Sequence, residues 1–215
     1  MTLTERRRVK RQLQYLGDEK YTHPKEKEEQ IKKVLEDRKY FNILELFCGN
    51  GNLTKVYQNY LYKGFGKIHA YDKKIDGQDS YRLIHKLIHQ EETYDIIDAD
   101  PFGFPCRLFP DIFMLIDYGY LFLTFCKPGS VHPSSELSLY LKCYFGDERP
   151  RLDTILTGVK RYSNCHWKDA NVVDVLDLQT VWRIAFSVTK VSAREFSWGK
   201  VGGLNGNSRR EIAVG

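Results

Sequence analysis

The chain has 215 residues, of which 42% are hydrophobic and 28% charged, and its formal net charge is +5 with a pI near 8.8. This predicts one soluble, cytoplasmic domain with a sizeable core, whose mild basicity permits a nucleic-acid partner without requiring one. The lack of a bilayer-spanning apolar run, of a signal peptide and of Cys-x-x-Cys spacing among the five cysteines argues against a membrane protein, a disulfide scaffold and a zinc site.

The first 40 residues are predicted to form a helical, basic extension made of two polar helices. The first helix carries five basic residues with no acid among them: Arg6, Arg7, Arg8, Lys10 and Arg11. This cluster is interpreted either as an arm that binds nucleic-acid phosphates or as a solvated helix face. The second helix is expected to start with Thr22 as its cap and Pro24 in its first turn, and to end near Asp37. It is predicted to be a lid over the sheet edge, with Ile31, Val34 and Leu35 pointing inward.

The stretch from Ile43 to Thr54 (ILELFCGNGNLT) predicts a strand, a tight turn and a helix. Its apolar residues suit a strand buried on both faces, as in a parallel sheet: Ile43, Leu44, Leu46 and Phe47. Gly49 and Gly51 permit a positive φ and let a ligand approach the backbone, and Asn50 tolerates the same conformation. Asn52 is predicted to cap a helix over residues 53–62. Such a turn binds either a dinucleotide or S-adenosylmethionine (SAM).

Two residues of this stretch favour SAM. Thr54 stands where the dinucleotide fingerprint has a third glycine. Glu45 offers a carboxylate that can receive the methionine ammonium of SAM, directly or through water. A structural glycine turn without a ligand is the alternative. The predicted cofactor contacts here are Glu45, Phe47, Gly49, Asn50, Gly51 and Asn52.

Two further acids are candidate cofactor contacts. Residues 67–72 (KIHAYD) predict a second strand that ends at Asp72, about 20 residues past the glycine turn, where an acid accepts hydrogen bonds from ribose hydroxyls. SAM and a dinucleotide both carry that ribose. Asp79 is expected either to accept from the adenine amino group or to cap a helix from Ser80 to His89.

A second cluster of candidate site residues follows the strand predicted over 94–99. Asp98 and Asp100 stand at its carboxyl end, where ligands of open α/β sheets bind. Together with the aromatic residues that follow, they predict a site for a flat substrate that carries an amine. The alternative is a Pro-Gly loop with solvated acids. The candidate catalytic residues are Asp100, Pro101, Phe102 and Gly103.

The remaining chain is predicted to complete a domain that spans residues 41–191. A helix over 110–118, a strand over 119–126 and a helix from Ser134 to about 144 are followed by a polar stretch at 147–170. The segments 172–178 and 181–191 are expected to form an antiparallel pair at the sheet edge. Residues 192–215 are predicted to be a flexible tail.

These motifs together resemble the class I SAM-dependent methyltransferases over roughly residues 40–190. The resemblance rests on Glu45-x-Phe47-x-Gly49-x-Gly51, on Asp72 and on Asp100-Pro101-Phe102-Gly103. It implies an α/β fold of the Rossmann-like class I type, with a mostly parallel central sheet and an antiparallel last strand, and it implies SAM as cofactor.

The loop after Asp98 is most similar to that of the tRNA N2,N2-dimethylguanosine methyltransferases. This resemblance implies that Asp100 accepts the exocyclic amine of guanine and that Phe102 stacks on the base or lines its pocket. Phe104 stands where that family has a small residue. The implied activity is methylation of a nucleobase exocyclic amine, with a tRNA-like RNA, or DNA, as the partner.

Two cysteines keep rival enzyme classes open. Cys126 stands where RNA uracil 5-methyltransferases have their nucleophile, and Cys106 stands in a segment that resembles the nucleophile loop of DNA cytosine 5-methyltransferases. Ring-carbon methylation needs such a nucleophile. Both thiols are expected to be ordinary small buried residues. The same fold would also suit a small-molecule methyltransferase, or an inactive module that binds nucleic acid.

Overall fold

The computed structural model describes residues 23–72, 79–101, 104–105, 108–128 and 135–192. Its centre is a six-stranded sheet with the order β2-β1-β3-β4-β6-β5. The strands are β1 (Asn42–Leu46), β2 (Lys67–Tyr71), β3 (Ile96–Ala99), β4 (Tyr118–Cys126), β5 (Lys168–Asp177) and β6 (Val181–Lys190). The first four are parallel, and β6 is antiparallel to β4 and β5. This confirms the predicted α/β fold with a mostly parallel sheet and an antiparallel last strand.

Helices cover both faces of the sheet. They are α1 (Pro24–Leu35), α2 (Asn52–Tyr57), α3 (Ser80–His89), α4 (Ser135–Phe145) and α5 (Leu152–Cys165). One face packs against α1 and α2, and the other packs against α3, α4 and α5. Because successive strand residues point to opposite faces, Leu44 and Leu46 join one cluster while Ile43 joins the other.

Helix α1 packs on one face of the sheet and also contacts its edge strand. Its predicted inward residues, Ile31, Val34 and Leu35, are buried against residues of β1, β3, β4 and β6. These are inner strands, while polar side chains of the same helix contact Asp174 of the edge strand β5. The helix therefore reaches the sheet edge, in agreement with the predicted lid. The cap residue is His23, with a φ of 47°. Thr22 and the basic cluster at residues 6–11 lie outside the described residues.

Two local predictions differ from the structure. The helix predicted over 110–118 is a 3-10 turn at Asp111–Leu115, because Tyr118 already pairs in β4. The polar stretch at 147–170, for which no element is predicted, contains α5 and the start of β5. The helix predicted after Ser134 and up to about residue 144 is confirmed as α4 (Ser135–Phe145), although Ser134 itself lies outside the described residues. Within the described residues, no helix has the length and apolar character needed to cross a membrane.

The strand order places a switch point between β1 and β3. The chain moves outward from β1 to β2 and then returns to the other side of β1 with β3. Parallel strands that separate in this way leave a crevice at their carboxyl ends, which is where open α/β sheets bind ligands. The backbone N–H of Asp100 donates to the carbonyl of Leu46 at 3.4 Å and joins the two strand ends there.

Candidate active site

The glycine turn after β1 is tied to the end of β2. The N–H groups of Phe47 and Cys48 both donate to the carbonyl of Tyr71, at 2.8 and 3.2 Å. Phe47 does not extend the strand as predicted, because its φ is 65°, a conformation that is unusual for a bulky side chain. Gly49 and Gly51 have φ values of 52° and 71° and therefore use the freedom predicted for them.

Asp72 joins this turn directly. Its carboxylate accepts a hydrogen bond from the backbone N–H of Gly49 at 3.1 Å, so the predicted ribose contact and the predicted glycine turn meet at one place. A Cβ built on Gly49 would find no atom within 4 Å. The turn thus presents an open backbone beside an acid, which fits the ribose and backbone contacts that SAM needs.

The helix after the turn begins differently from the prediction. Gly51 occupies the cap position without a side-chain hydrogen bond, and Asn52 is the first residue of α2. The helix ends at Tyr57 and continues as a 3-10 turn at Gln58–Tyr60. Asn50 and Asn52 are both exposed at this edge, and their contact with a cofactor stays a prediction.

Glu45 is buried beneath the turn instead of standing open to a ligand. The residue is 2% exposed, and its carboxyl accepts a hydrogen bond from the Thr54 hydroxyl at 2.5 Å. Burial and the nearby negative charge of Asp98 raise the pKa of Glu45 to about 8. Glu45 thus joins β1 to α2, and its proposed contact with the methionine ammonium stays a prediction.

Asp79 caps α3. Its carboxylate accepts a hydrogen bond from the backbone N–H of Tyr81 at 3.0 Å, which is the second of the two roles expected for it. The ring of Tyr81 in turn meets Phe47 edge-on, with the ring centroids 6.2 Å apart. This contact places the start of α3 beside the glycine turn.

Asp100 follows β3 and forms an ion pair with Lys27 of α1. The side chains of Lys27 and Asp100 are 8% and 18% exposed. Burial alone would raise the pKa of Asp100, but the positive charges of Lys27 and Arg183 hold it below its usual value. The site thus contains an ionised carboxylate. Pro101 beside it is buried, while Phe102 and Gly103 lie outside the described residues.

Two residues predicted to be displayed at the site are buried. Asp98 is fully buried and pairs with Arg183 of β6 at 2.8 and 2.6 Å. Tyr57 donates a third hydrogen bond to Asp98, at 2.7 Å. Phe104 is 4% exposed, and its ring stacks on Phe125 of β4 at 5.0 Å. Both predictions fail because these side chains point into the packed faces of the sheet.

The buried polar residues around Asp100 were not predicted. Lys27 and Gln30 lie on the buried face of α1, and Gln30 accepts a hydrogen bond from Nε of Arg183 at 3.1 Å. The sequence does contain features that could have indicated these buried polar residues. Arg183 interrupts the apolar run of the last strand (VWRIAF), and polar residues at buried helix positions must find partners.

Cys126 has no feature of an activated nucleophile. It is partly buried at the end of β4, and burial raises the pKa of its thiol. A raised pKa lowers the thiolate fraction, which is the reactive form. Cys106, the other candidate nucleophile, lies outside the described residues.

No protein-family model matches the sequence, and no curated protein matches it. Among solved structures, Trm1 from Pyrococcus horikoshii in complex with S-adenosyl-L-methionine aligns with a TM-score of 0.54 and 13% identity, over 81% of this chain and 56% of that one. A SAM dependent methyltransferase from Archaeoglobus fulgidus aligns with a TM-score of 0.49 and 11% identity, over 80% and 98%. The N-methyltransferase NodS from Bradyrhizobium japonicum gives 0.45 and 11%, over 77% and 96%.

The likeness to Trm1 concerns the fold, because the identity is low and the chain spans little more than half the length of that protein. The strand order β2-β1-β3-β4-β6-β5 and the glycine turn at its switch point agree with it. The chain therefore has the Rossmann-like fold of class I methyltransferases.

Proposed function

We propose that the chain is a SAM-dependent methyltransferase that acts on an exocyclic amine of a nucleobase in RNA. The observation that carries this proposal is the position of Asp100. Its ionised carboxylate stands at the carboxyl end of β3, and its backbone N–H bonds the end of β1, from which the glycine turn starts. An acceptor for an amine thus lies beside a turn suited to SAM.

The cofactor would lie over residues 45–52 with its ribose on Asp72. When bound, SAM supplies a methyl group on a positively charged sulfur. The hydrogen bond from the N–H of Gly49 to Asp72 supports this position, because it holds the carboxylate beside the turn. The solved complex of Trm1 with S-adenosyl-L-methionine supports SAM as the ligand of this fold.

Asp100 would hold the amine by accepting one of its N–H bonds. This contact turns the nitrogen lone pair away from resonance with the base and toward the methyl carbon. SAM, when bound, would supply the methyl group with its sulfur as the leaving group, and Asp100 would pass the proton lost by the methylated nitrogen to solvent. Because the carboxylate is only a weak base, most of the rate enhancement would come from positioning.

Two features support RNA as the substrate. The loop at Asp100 resembles that of tRNA N2,N2-dimethylguanosine methyltransferases. The basic cluster at residues 6–11 precedes α1 in the sequence. The first turn of α1 contains Lys27, which contacts Asp100. The roughly dozen residues between this cluster and α1 can span at most about 40 Å, so its cations can reach phosphates near the site.

The test combines SAM binding with methyl transfer on the same preparations. We expect calorimetry to detect SAM binding by the wild type, and Asp72→Ala to weaken it by about 10-fold or more. We expect labelled methyl groups to enter bulk tRNA, and Asp100→Asn to reduce the rate by about 10²-fold or more. Asp153→Asn, a change at an exposed acid of α5, is the matched control.

Each failure of this test has its own meaning. Absence of SAM binding would reject the methyltransferase proposal. SAM binding without transfer to tRNA would reject this substrate, and the same assay with single-stranded DNA and with small primary amines would then identify the acceptor class.

A further inference from the structure

Lys27 is a buried cation at the acceptor carboxylate, and no motif of the sequence accounts for it. The residue is 6% exposed and lies in the first turn of α1, 73 positions before Asp100. A lysine is seldom buried unless its charge is paired, and here Nζ contacts Oδ2 of Asp100.

Helix α1 is fixed in place, so Lys27 is held near Asp100 by its backbone. Gln30 donates to the carboxylate of Asp174 at 3.0 Å and to the carbonyl of Arg183 at 3.1 Å. Lys33 pairs with the same Asp174 at 2.5 Å, and Ile31 and Leu35 are fully buried. Any movement of α1 away from the sheet would break these contacts together, so the backbone at Lys27 stays beside Asp100.

Charged and titratable groups from three other elements interact with Asp100. Lys27 comes from α1, Arg183 from β6 and the acid Glu45 from β1. Arg183 is already bonded to both oxygens of Asp98. Among the described residues, Lys27 is therefore the basic residue that forms an ion pair with Asp100.

We propose that Lys27 is a positioning residue of the transfer reaction, which keeps Asp100 ionised and fixes one of its oxygens. This inference rests on the proposed function. A carboxylate accepts hydrogen bonds at both oxygens. With Oδ2 held by Lys27, the substrate amine is received by the other oxygen in a defined direction. Helix α1 is thus part of the site.

The first test needs no substrate. Carboxyl carbons are followed by NMR as a function of pH in the wild type, Lys27→Met, Lys27→Gln and Lys27→Arg. We expect Lys27→Met and Lys27→Gln to raise the pKa of Asp100 by about 1 to 3 pH units, and Lys27→Arg to leave it low. Lys27→Gln keeps an N–H donor without the charge, so it separates charge from hydrogen bonding. An unchanged titration of Asp100 in folded Lys27→Gln would overturn the proposal.

The second test follows methyl transfer against pH. We expect the acid limb of kcat/KM to move to higher pH in Lys27→Gln, with SAM affinity unchanged and with activity restored in Lys27→Arg. Lys33→Met is the matched control, because it removes the other α1 lysine that pairs with a sheet acid, and it should leave the acid limb in place. Faster transfer in Lys27→Gln at every pH would overturn the proposal, since Lys27 would then obstruct the carboxylate. If no acceptor is methylated by the wild type, the NMR titration still decides the role of Lys27.

Discussion

Arg183 donates to both carboxylate oxygens of Asp98, from Nη1 at 2.8 Å and from Nη2 at 2.6 Å, and neither side chain is exposed to solvent. The pair connects β3 to β6 although β4 lies between them in the sheet. The guanidinium lies over the ring of Phe122 on β4, 5.0 Å from its centroid. The positive charge of Arg183 in this buried pair also helps to lower the pKa of Asp100.

We predict that Arg183→Met destabilises the protein by about 3–5 kcal/mol, because it leaves the Asp98 carboxylate buried without its cation. Urea unfolding measures the change. The double variant Asp98→Asn with Arg183→Met should be less destabilised than Arg183→Met alone, because no uncompensated charge remains. Equal losses in both variants would contradict this account of the pair.

Glu45 should make stability depend on pH. Its pKa is about 8 in the folded protein and near 4.5 when the chain is unfolded, so the unfolded state releases this proton first as the pH rises. The free energy of unfolding should therefore fall between about pH 4.5 and pH 8, by up to about 1.4 kcal/mol per pH unit from this group. Glu45→Gln keeps an acceptor for Thr54 and removes the titration.

The measurement for Glu45 is urea unfolding of wild type and Glu45→Gln at several pH values within this window. The stability of the variant relative to the wild type should increase steadily as the pH rises. A difference that stays constant with pH would show that Glu45 does not titrate in this range.

Gly49→Ala should affect cofactor binding more than folding. The residue has a φ of 52°, so alanine costs about 1–2 kcal/mol of backbone strain, and the added methyl group would stand on the open side of the turn. We expect SAM affinity to fall by about 10-fold or more. Gly146→Ala, at a φ of 77° with equally open space, is the control, because it carries a similar strain after α4. Equal SAM affinities in the two variants would argue against the assigned turn.

Cys126→Ser distinguishes amine methylation from ring-carbon methylation. The thiol has a raised pKa and lies at the end of β4, so we expect the serine variant to transfer methyl groups at nearly the wild-type rate. Asp100→Asn should be the damaging change. Loss of transfer in Cys126→Ser, with intact folding and SAM binding, would instead support a covalent mechanism.

The strands were predictable from local patterns. β1, β3 and β4 are nearly continuous apolar runs, as buried parallel strands require. The antiparallel pair of β5 and β6 follows from two segments with β-branched residues joined by a short link, although β5 begins at Lys168, inside the polar stretch. The turn at Gly49 and its meeting with Asp72 were also predictable, because fixed positions along one α/β unit determine both. Helix α5 was not predicted, because its many basic and polar residues hide the spacing of its buried ones. Its buried residues, Ile155 and Val159, have helical spacing among basic and polar neighbours.

The polar contacts of the site were not predictable in the same way. Asp98 and Arg183 are 85 positions apart, and Gln30 and Arg183 are 153 apart. Nothing local in the sequence specifies which acid a buried cation will meet. The alternation of side chains along β3 would place Asp98 and Asp100 on the same face, but only the packing of α1 on that face shows that one is buried and the other pairs with Lys27.

The late position of β6 in the chain has a consequence for protein synthesis. A ribosome completes β1, β3 and β4 long before it adds Arg183, so the nascent sheet carries Asp98 without its cation and β4 without its antiparallel neighbour. An unpaired β4 is an open edge that can pair with another chain. Translation that stops between β5 and β6 would therefore release a polypeptide prone to aggregation, and the cell would have to remove it or shield it with chaperones.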